Sequence, residues 1–300
     1  MTSSRYLAMP LAASDRMPPG RAPLDAARWL AWPAVLYTLA FFVFPLIVMI
    51  CVTFWVRRNG SLDPDWTLDN YVRFFTRPYL VTALSNSVQV TLVTTALSVL
   101  FAYPFAYVLA FHVPPKWQKL VLLAAVLPFW TSYVVRSYSW LLVLSDKGIV
   151  NSFLMWTGVI SAPLKIAYTR AATVLGFVHF FVMLLTLTIY ANLVQISPSY
   201  IKAAQDLGAS QWNVLRCIVL PLSVPGIAVG AFLTFVITIG DFITPQILGG
   251  NNEILLPQAI MLQIMRVADF PMASVMSLLL MLLIIAVYVA FHRYLKMDRL

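Results

Sequence analysis

Two ionisable side chains fall inside otherwise apolar stretches, and they are where this chain could do chemistry. Arg136 lies within the apolar run 119–144, and Asp241 closes the run 222–243. A charge inside a bilayer is costly, so such a residue marks a solute path, a proton relay or a paired contact. A helical rise of ~1.5 Å per residue sets Arg136 roughly 25 Å from Lys119 and Asp241 roughly 30 Å from Pro221, at similar depth near the outer mouth. The expectation is an Arg136–Asp241 ion pair or a shared polar cluster, against separate snorkelling of each head group to the interface. Tyr133, Tyr138 and Trp140 share the run of Arg136 and offer aromatic faces to a cation. These five residues are the candidate translocation pathway. His179, inside the run 171–194, is read as a hydrogen-bonded packing histidine that could also line the path.

Other chemistries find little support. Among the 11 Asp and Glu residues only Asp241 falls inside a span, so no paired carboxylates are available for acid–base work. His112, His179 and His292 have no metal-ligand spacing, and no metal site or catalytic residue is assigned. The chain has no G-x-x-x-x-G-K-[ST] phosphate loop, so P-loop ATP hydrolysis would need a separate subunit. Cys51 and Cys217 fall in different segments and form no motif.

The elements that must position these residues are membrane helices. The chain is 61% hydrophobic and 10% charged, with a mean hydropathy of +0.85, outside the usual globular mix. A span needs ~20 mostly apolar residues, and six candidates fit: about 30–55, 86–111, 119–144, 171–194, 222–243 and 272–294. The fold class is therefore an all-α membrane protein. Residues 1–28, with Pro10, Pro18, Pro19 and Pro23, read as a flexible cytoplasmic tail, and 29–300 as one transmembrane domain. The first apolar run is too long for a signal-peptide core and is expected to be retained. Lys and Arg near span ends favour both termini inside. The net charge of +9 is then a topology signal, and no basic stripe with stacking aromatics points to nucleic acid.

Within the spans, Gly226 and Gly230 form a G-x-x-x-G that permits close helix approach. Pro104 and Pro128 are expected to bend their helices. Between the first two spans, Thr67, Leu68, Tyr71, Phe74 and Phe75 predict a short helix, lying at the interface or packed on its neighbours.

One polar segment stands between long apolar spans: the loop at about 195–221, leading into the run Lys202 to Gly226. Ser197-Pro198 supplies a helix cap and a first-turn proline. Tyr200, Ala203, Ala204 and Leu207 recur at helical spacing on one face, with Lys202, Gln205 and Asp206 opposite. Gly208 stands where a left-handed terminating residue is needed, and Ser210 can cap a second helix whose Trp212, Leu215 and Ile218 side turns to the membrane. The prediction is helix, sharp turn, helix. Small alanines would let a partner surface approach closely.

That segment resembles the "EAA" loop of ABC-importer permeases in its Ala203, Ala204, Gly208, Leu220 and Pro221. Lys202 stands where the family motif opens with Glu. Three further stretches, Asn86 to Tyr107, Leu127 to Trp140 and Gly240 to Gly250, are similar to the spermidine/putrescine-type branch. The resemblance covers about residues 68–290 and implies a type I ABC importer permease fold with six transmembrane helices. It implies that Lys202, Ala203, Ala204, Asp206, Leu207 and Gly208 couple to an ATPase dimer that carries ATP and magnesium. It also implies a second related permease, a periplasmic solute-binding protein, membrane lipid around the spans, and the bacterial inner membrane as location. No cofactor is expected on this chain itself. Polyamine is the expected cargo, or a related small organic solute. The rival reading, a gradient-driven secondary transporter, predicts inverted repeats and midplane ionisable residues, and no repeat is visible.

Overall fold

The computed structural model describes residues 32–58, 60–250 and 253–295; the expected tail at 1–28 lies outside them. The chain divides into two compact units, residues 1–49 and 50–300. In the first unit, Trp32 opens an apolar helix, α1 (Trp32–Val52). A π turn at Leu39–Val43 sits just ahead of Pro45, which has no N–H to donate to the preceding turn. Every side chain from Trp32 to Val48 is exposed in that unit.

The second unit starts within the last turn of α1 and continues into an antiparallel hairpin, β1 (Val56–Arg58) and β2 (Ser61–Asp63). The short helix predicted from the 3–4 spacing is α2 (Asp69–Thr76). It is packed on its neighbours through fully buried Phe74, and buried Asn70 donates to the carbonyls of Thr53 and Trp55 at 2.9 and 2.8 Å. The polypeptide then forms α3 (Pro78–Phe111), α4 (Pro115–Val126), α5 (Tyr133–Leu144), α6 (Ile149–Trp156) and α7 (Arg170–Leu193). Next come α8 (Pro198–Asp206), α9 (Gln211–Gly240), α10 (Ile243–Leu248), α11 (Leu256–Leu262) and α12 (Phe270–Leu295).

Among the described residues, five helices are long and apolar enough to cross a bilayer: α1, α3, α7, α9 and α12. The expected sixth, 119–144, is not one helix. It is α4 and α5, 12 residues each, separated by a 3₁₀ turn at Leu127–Trp130 and an extended Thr131-Ser132. Each half is ~18 Å long, short of a ~30 Å hydrocarbon core. Pro128 lies in the first turn of that 3₁₀ segment, where it lacks a backbone donor for the helical ladder, and the chain turns extended three residues later at Thr131. Pro104, by contrast, lies inside an uninterrupted α3.

The bundle is built on α3, α7 and α9. Ala102 and Ala106 of α3 lie against Leu185 and Ile189 of α7, small against large, all nearly inaccessible. The glycine pair of α9 meets α7 closely. A Cβ at Gly226 would stand 2.5 Å from Cβ of Asn192, and one at Gly230 would stand 2.6 Å from Leu185 Cδ2. A second cluster joins α2, α3, α9, α11 and α12 through Phe74, Leu80, Phe235, Leu256 and Met272.

Candidate translocation and coupling sites

The break at Pro128 creates the first site. Because Ser132 and Thr131 are extended, α5 starts afresh at Tyr133, and its first residues are free to reach across to α10. The Tyr133 hydroxyl bonds Asp241 Oδ2 and Thr244 Oγ1, residues more than a hundred positions away. Asp241 ends α9 in an extended conformation. Its carboxylate also accepts from the backbone N–H of Ile243 at 2.8 Å and of Thr244 at 3.3 Å. That is an Asx turn, which fixes the corner between α9 and α10.

Arg136 does not pair with Asp241 in any ion pair among the described residues. Its guanidinium donates instead to the Pro128 carbonyl at 3.1 Å, which also accepts from the Thr131 hydroxyl at 2.7 Å and the Thr131 N–H at 3.3 Å. The same guanidinium lies 4.6 Å from the Phe180 ring centroid and 5.4 Å from that of Tyr133. The shared polar cluster therefore exists without the ion pair, and Tyr133 is the residue common to both charges. An aromatic face holds Arg136 at modest cost because guanidinium is weakly hydrated.

Trp140, one turn further along α5, donates from Nε1 to Nδ1 of His179 at 3.2 Å. His179 is thus hydrogen-bonded and also lines a cleft of about 510 Å³ with Thr131, Val135, Arg136, Ser139 and Trp140. Tyr138 is not in this group. It falls on another face of α5 and is 54% exposed.

The second site is the loop predicted between the spans, and its local chemistry is as read from sequence. Ser197 Oγ accepts from Ser199 N with Pro198 in the first turn, and Ser210 Oγ accepts from Asn213 N. Gly208 has φ +83°. Around it Ala209 N donates to Ala204 O and Gly208 N to Gln205 O, both at 2.9 Å, the two bonds of a Schellman motif.

The four residues read onto one face, Tyr200, Ala203, Ala204 and Leu207, line one cleft, and Lys202, Gln205 and Asp206 do not. Ala204 is half-buried there and, like Ile201 at i, i+3, also packs on the apolar cluster that contains Val214. Tyr200, Ala203 and Leu207 remain outside, Leu207 at 88% exposure, beside exposed Lys202 and Asp206. The cleft lined by Tyr200, Ala203, Ala204 and Leu207, about 830 Å³, is completed by Ile218 and Pro221 of α9. From Gln211 onward α9 continues through a π turn at Leu215–Val219 into the span without a break, so the loop is joined to it rigidly.

The family model for binding-protein-dependent transport system inner membrane components matches residues 25–297, nearly the whole chain. The chain belongs to that family. It is a multi-pass inner-membrane permease subunit of the ABC-importer class and not an enzyme. The spermidine/putrescine transport system permease protein PotB of Escherichia coli (strain K12) is 33% identical over 244 residues, covering 81% of this permease and 88% of PotB. The molybdenum transport system permease protein ModB of Mycobacterium bovis is 30% identical over 264 residues, covering 86% and 90%. In fold, a bacterial ABC transporter that imports the acidic polysaccharide alginate superposes with a TM-score of 0.72 at 18% identity, covering 92% of this permease and 99% of that chain. The type I permease fold follows.

Three participants were not anticipated from the permease sequence: Thr244, Phe180 and the Pro128 carbonyl. Asp241 followed by Thr244-Pro245 is a legible Asx-turn signal for the first. No local pattern marks Phe180.

Proposed function

We propose that this permease is the membrane subunit of an ATP-driven, binding-protein-dependent importer whose cargo is a polyamine or a related small organic solute. Both termini then lie in the cytoplasm, and the 195–221 loop faces a dimer of ATPase subunits that carry ATP and magnesium. A second related permease completes the pore, and a periplasmic binding protein delivers solute to the other side. The observation that carries the reading is the Schellman-terminated α8, which holds Tyr200, Ala203 and Leu207 outward on a turn continuous with α9. A rigid lever with an exposed apolar tip suits insertion into a groove on a moving partner. Lys202, Ala204, Asp206 and Gly208 complete that coupling surface.

The polyamine assignment rests on similarity to PotB. The cleft at the α4–α5 break supports a solute path by position: Arg136, Trp140 and His179 line it, and Tyr133 and Asp241 stand behind it. Arg136 opposes a cationic solute, so selectivity is set by the binding protein and not by this cleft. Tyr138 faces away from it and contributes only if it meets the second permease.

The test is copurification in mild detergent followed by uptake in proteoliposomes. Recovery of an ATPase and a second permease is expected, with uptake of labelled spermidine or putrescine that needs both ATP and the binding protein. Recovery of this chain alone, with uptake that survives without ATP and collapses with an ionophore, overturns the reading. ATP-dependent uptake of molybdate in place of polyamine keeps the machine and replaces the cargo.

A further inference from the structure

A cleft of about 700 Å³ lies at the far end of α5 from Tyr133, between the loops that flank α6. Asp146 and Lys147 come from one loop, Lys165 and Tyr168 from the other, and all four side chains are exposed. The ion pairs among the described residues are Arg58–Asp65, Arg73–Asp269 and Arg170–Glu253, which leaves Lys147 and Lys165 without a carboxylate partner. One aspartate against two lysines gives the cleft a net positive charge.

The two loops are locked together. Asn151 of α6 is fully buried, and its amide nitrogen donates to Ser145 O at 3.0 Å and to Leu164 O at 2.9 Å. Its oxygen accepts from Leu164 N at 2.8 Å. All of this side chain's bonds bridge the lysine-bearing loops, so the backbone that carries Lys147 and Lys165 is held before anything binds. Tyr168 adds a second sign of a built site. It holds a left-handed φ of +59°, unfavourable for a bulky residue, and its Cβ would stand 3.0 Å from a Cβ at Gly250. Strain of this kind persists only where surrounding structure over-determines it. Beneath the cleft, Ile166 and Ala167 pack with Leu144, Trp140 and Leu248. The floor is therefore continuous with α5, the helix that lines the Arg136 cleft.

We propose that this cleft is the docking socket for an acidic side chain of the solute-binding protein, with the Lys147 and Lys165 ammonium groups and the Tyr168 hydroxyl as donors. The proposal rests on the importer reading, which places these loops on the periplasmic side. Two cations carried on loops held together by Asn151 suit a protein carboxylate: little loop ordering remains to be done at binding, and opposite charge speeds encounter.

The test is a titration of the reconstituted importer with the binding protein that supports uptake in the proteoliposome assay, read as stimulated ATPase activity. Lys147→Glu/Lys165→Glu is expected to raise the half-saturating concentration roughly 3- to 10-fold at low salt, with the maximal rate unchanged. Lys147→Arg/Lys165→Arg is expected to keep the wild-type value. The wild type is expected to lose affinity with added salt more steeply than the Glu variant. An unshifted half-saturation in the Glu variant, beside normal wild-type stimulation, overturns the socket and leaves the importer standing. A change in maximal rate alone that follows the anionic lipid content of the vesicles also overturns it, in favour of a lipid headgroup contact. Absence of stimulation in the wild type overturns the importer reading, and the socket falls with it.

Discussion

Replacing Gly208 separates backbone conformation from side-chain packing in the coupling loop. Gly208 has φ +83°, and a Cβ built on it meets nothing within 4 Å. Gly208→Ala therefore introduces no clash; it costs only the left-handed conformation, about 1–2 kcal/mol for an L-residue. That cost falls on the Schellman turn that orients Tyr200, Ala203 and Leu207. At ~1.4 kcal/mol per tenfold, the population of the docking-competent turn drops by as much as about 5- to 30-fold, and apparent affinity for the ATPase drops with it. Gly208→Asn is expected to lose less, because Asn tolerates the left-handed region. Gly208→Val is expected to lose solute-stimulated ATPase activity altogether, since a β-branched residue resists that conformation most. Membrane insertion should be unaffected in all three, because the loop is exposed. The assay is stimulated ATPase activity of the reconstituted complex against ATPase-subunit concentration. Normal coupling in the Val variant, or an Asn variant weaker than Ala, refutes the reasoning.

Three further outcomes are expected. Tyr133→Phe removes the hydroxyl that joins α5 to Asp241 and Thr244; a loss of about 1–3 kcal/mol, read as a lower unfolding midpoint in detergent, is expected with a fall in uptake. Gly226→Ala forces a Cβ to 2.5 Å from Cβ of Asn192, and overpacking of about 1–3 kcal/mol should lower that midpoint, whereas Gly240→Ala, open on all sides, should not. Arg136→Met removes one of the donors to the Pro128 carbonyl and takes the guanidinium from the Phe180 ring; uptake is expected to fall while binding-protein-stimulated ATPase activity remains, and an unchanged uptake rate would remove Arg136 from the pathway.

What the sequence determined by itself was local. Composition and span length require a membrane-embedded helical chain, because every backbone donor must be satisfied without water. The 197–210 turn was legible residue by residue, since Ser197, Pro198, Gly208 and Ser210 act on backbone groups only a few positions away. Pro128 was legible as a bend, but its severity was not. Only the surroundings decide whether the carbonyls at a break find donors, and here the Pro128 carbonyl accepts from Thr131 within the turn and from Arg136 on the next helix. Which charges meet was decided by tertiary structure alone. Helical rise counted along the sequence sets Arg136 and Asp241 at similar depth, yet Tyr133 bonds one and lies under the other, with no ion pair between the two among the described residues. The same holds for Asn151, whose partners Ser145 and Leu164 lie in separate loops. A hydrogen bond across distant chain depends on how the helices pack, and apolar spans with nearly uniform faces carry little record of that packing in their sequence.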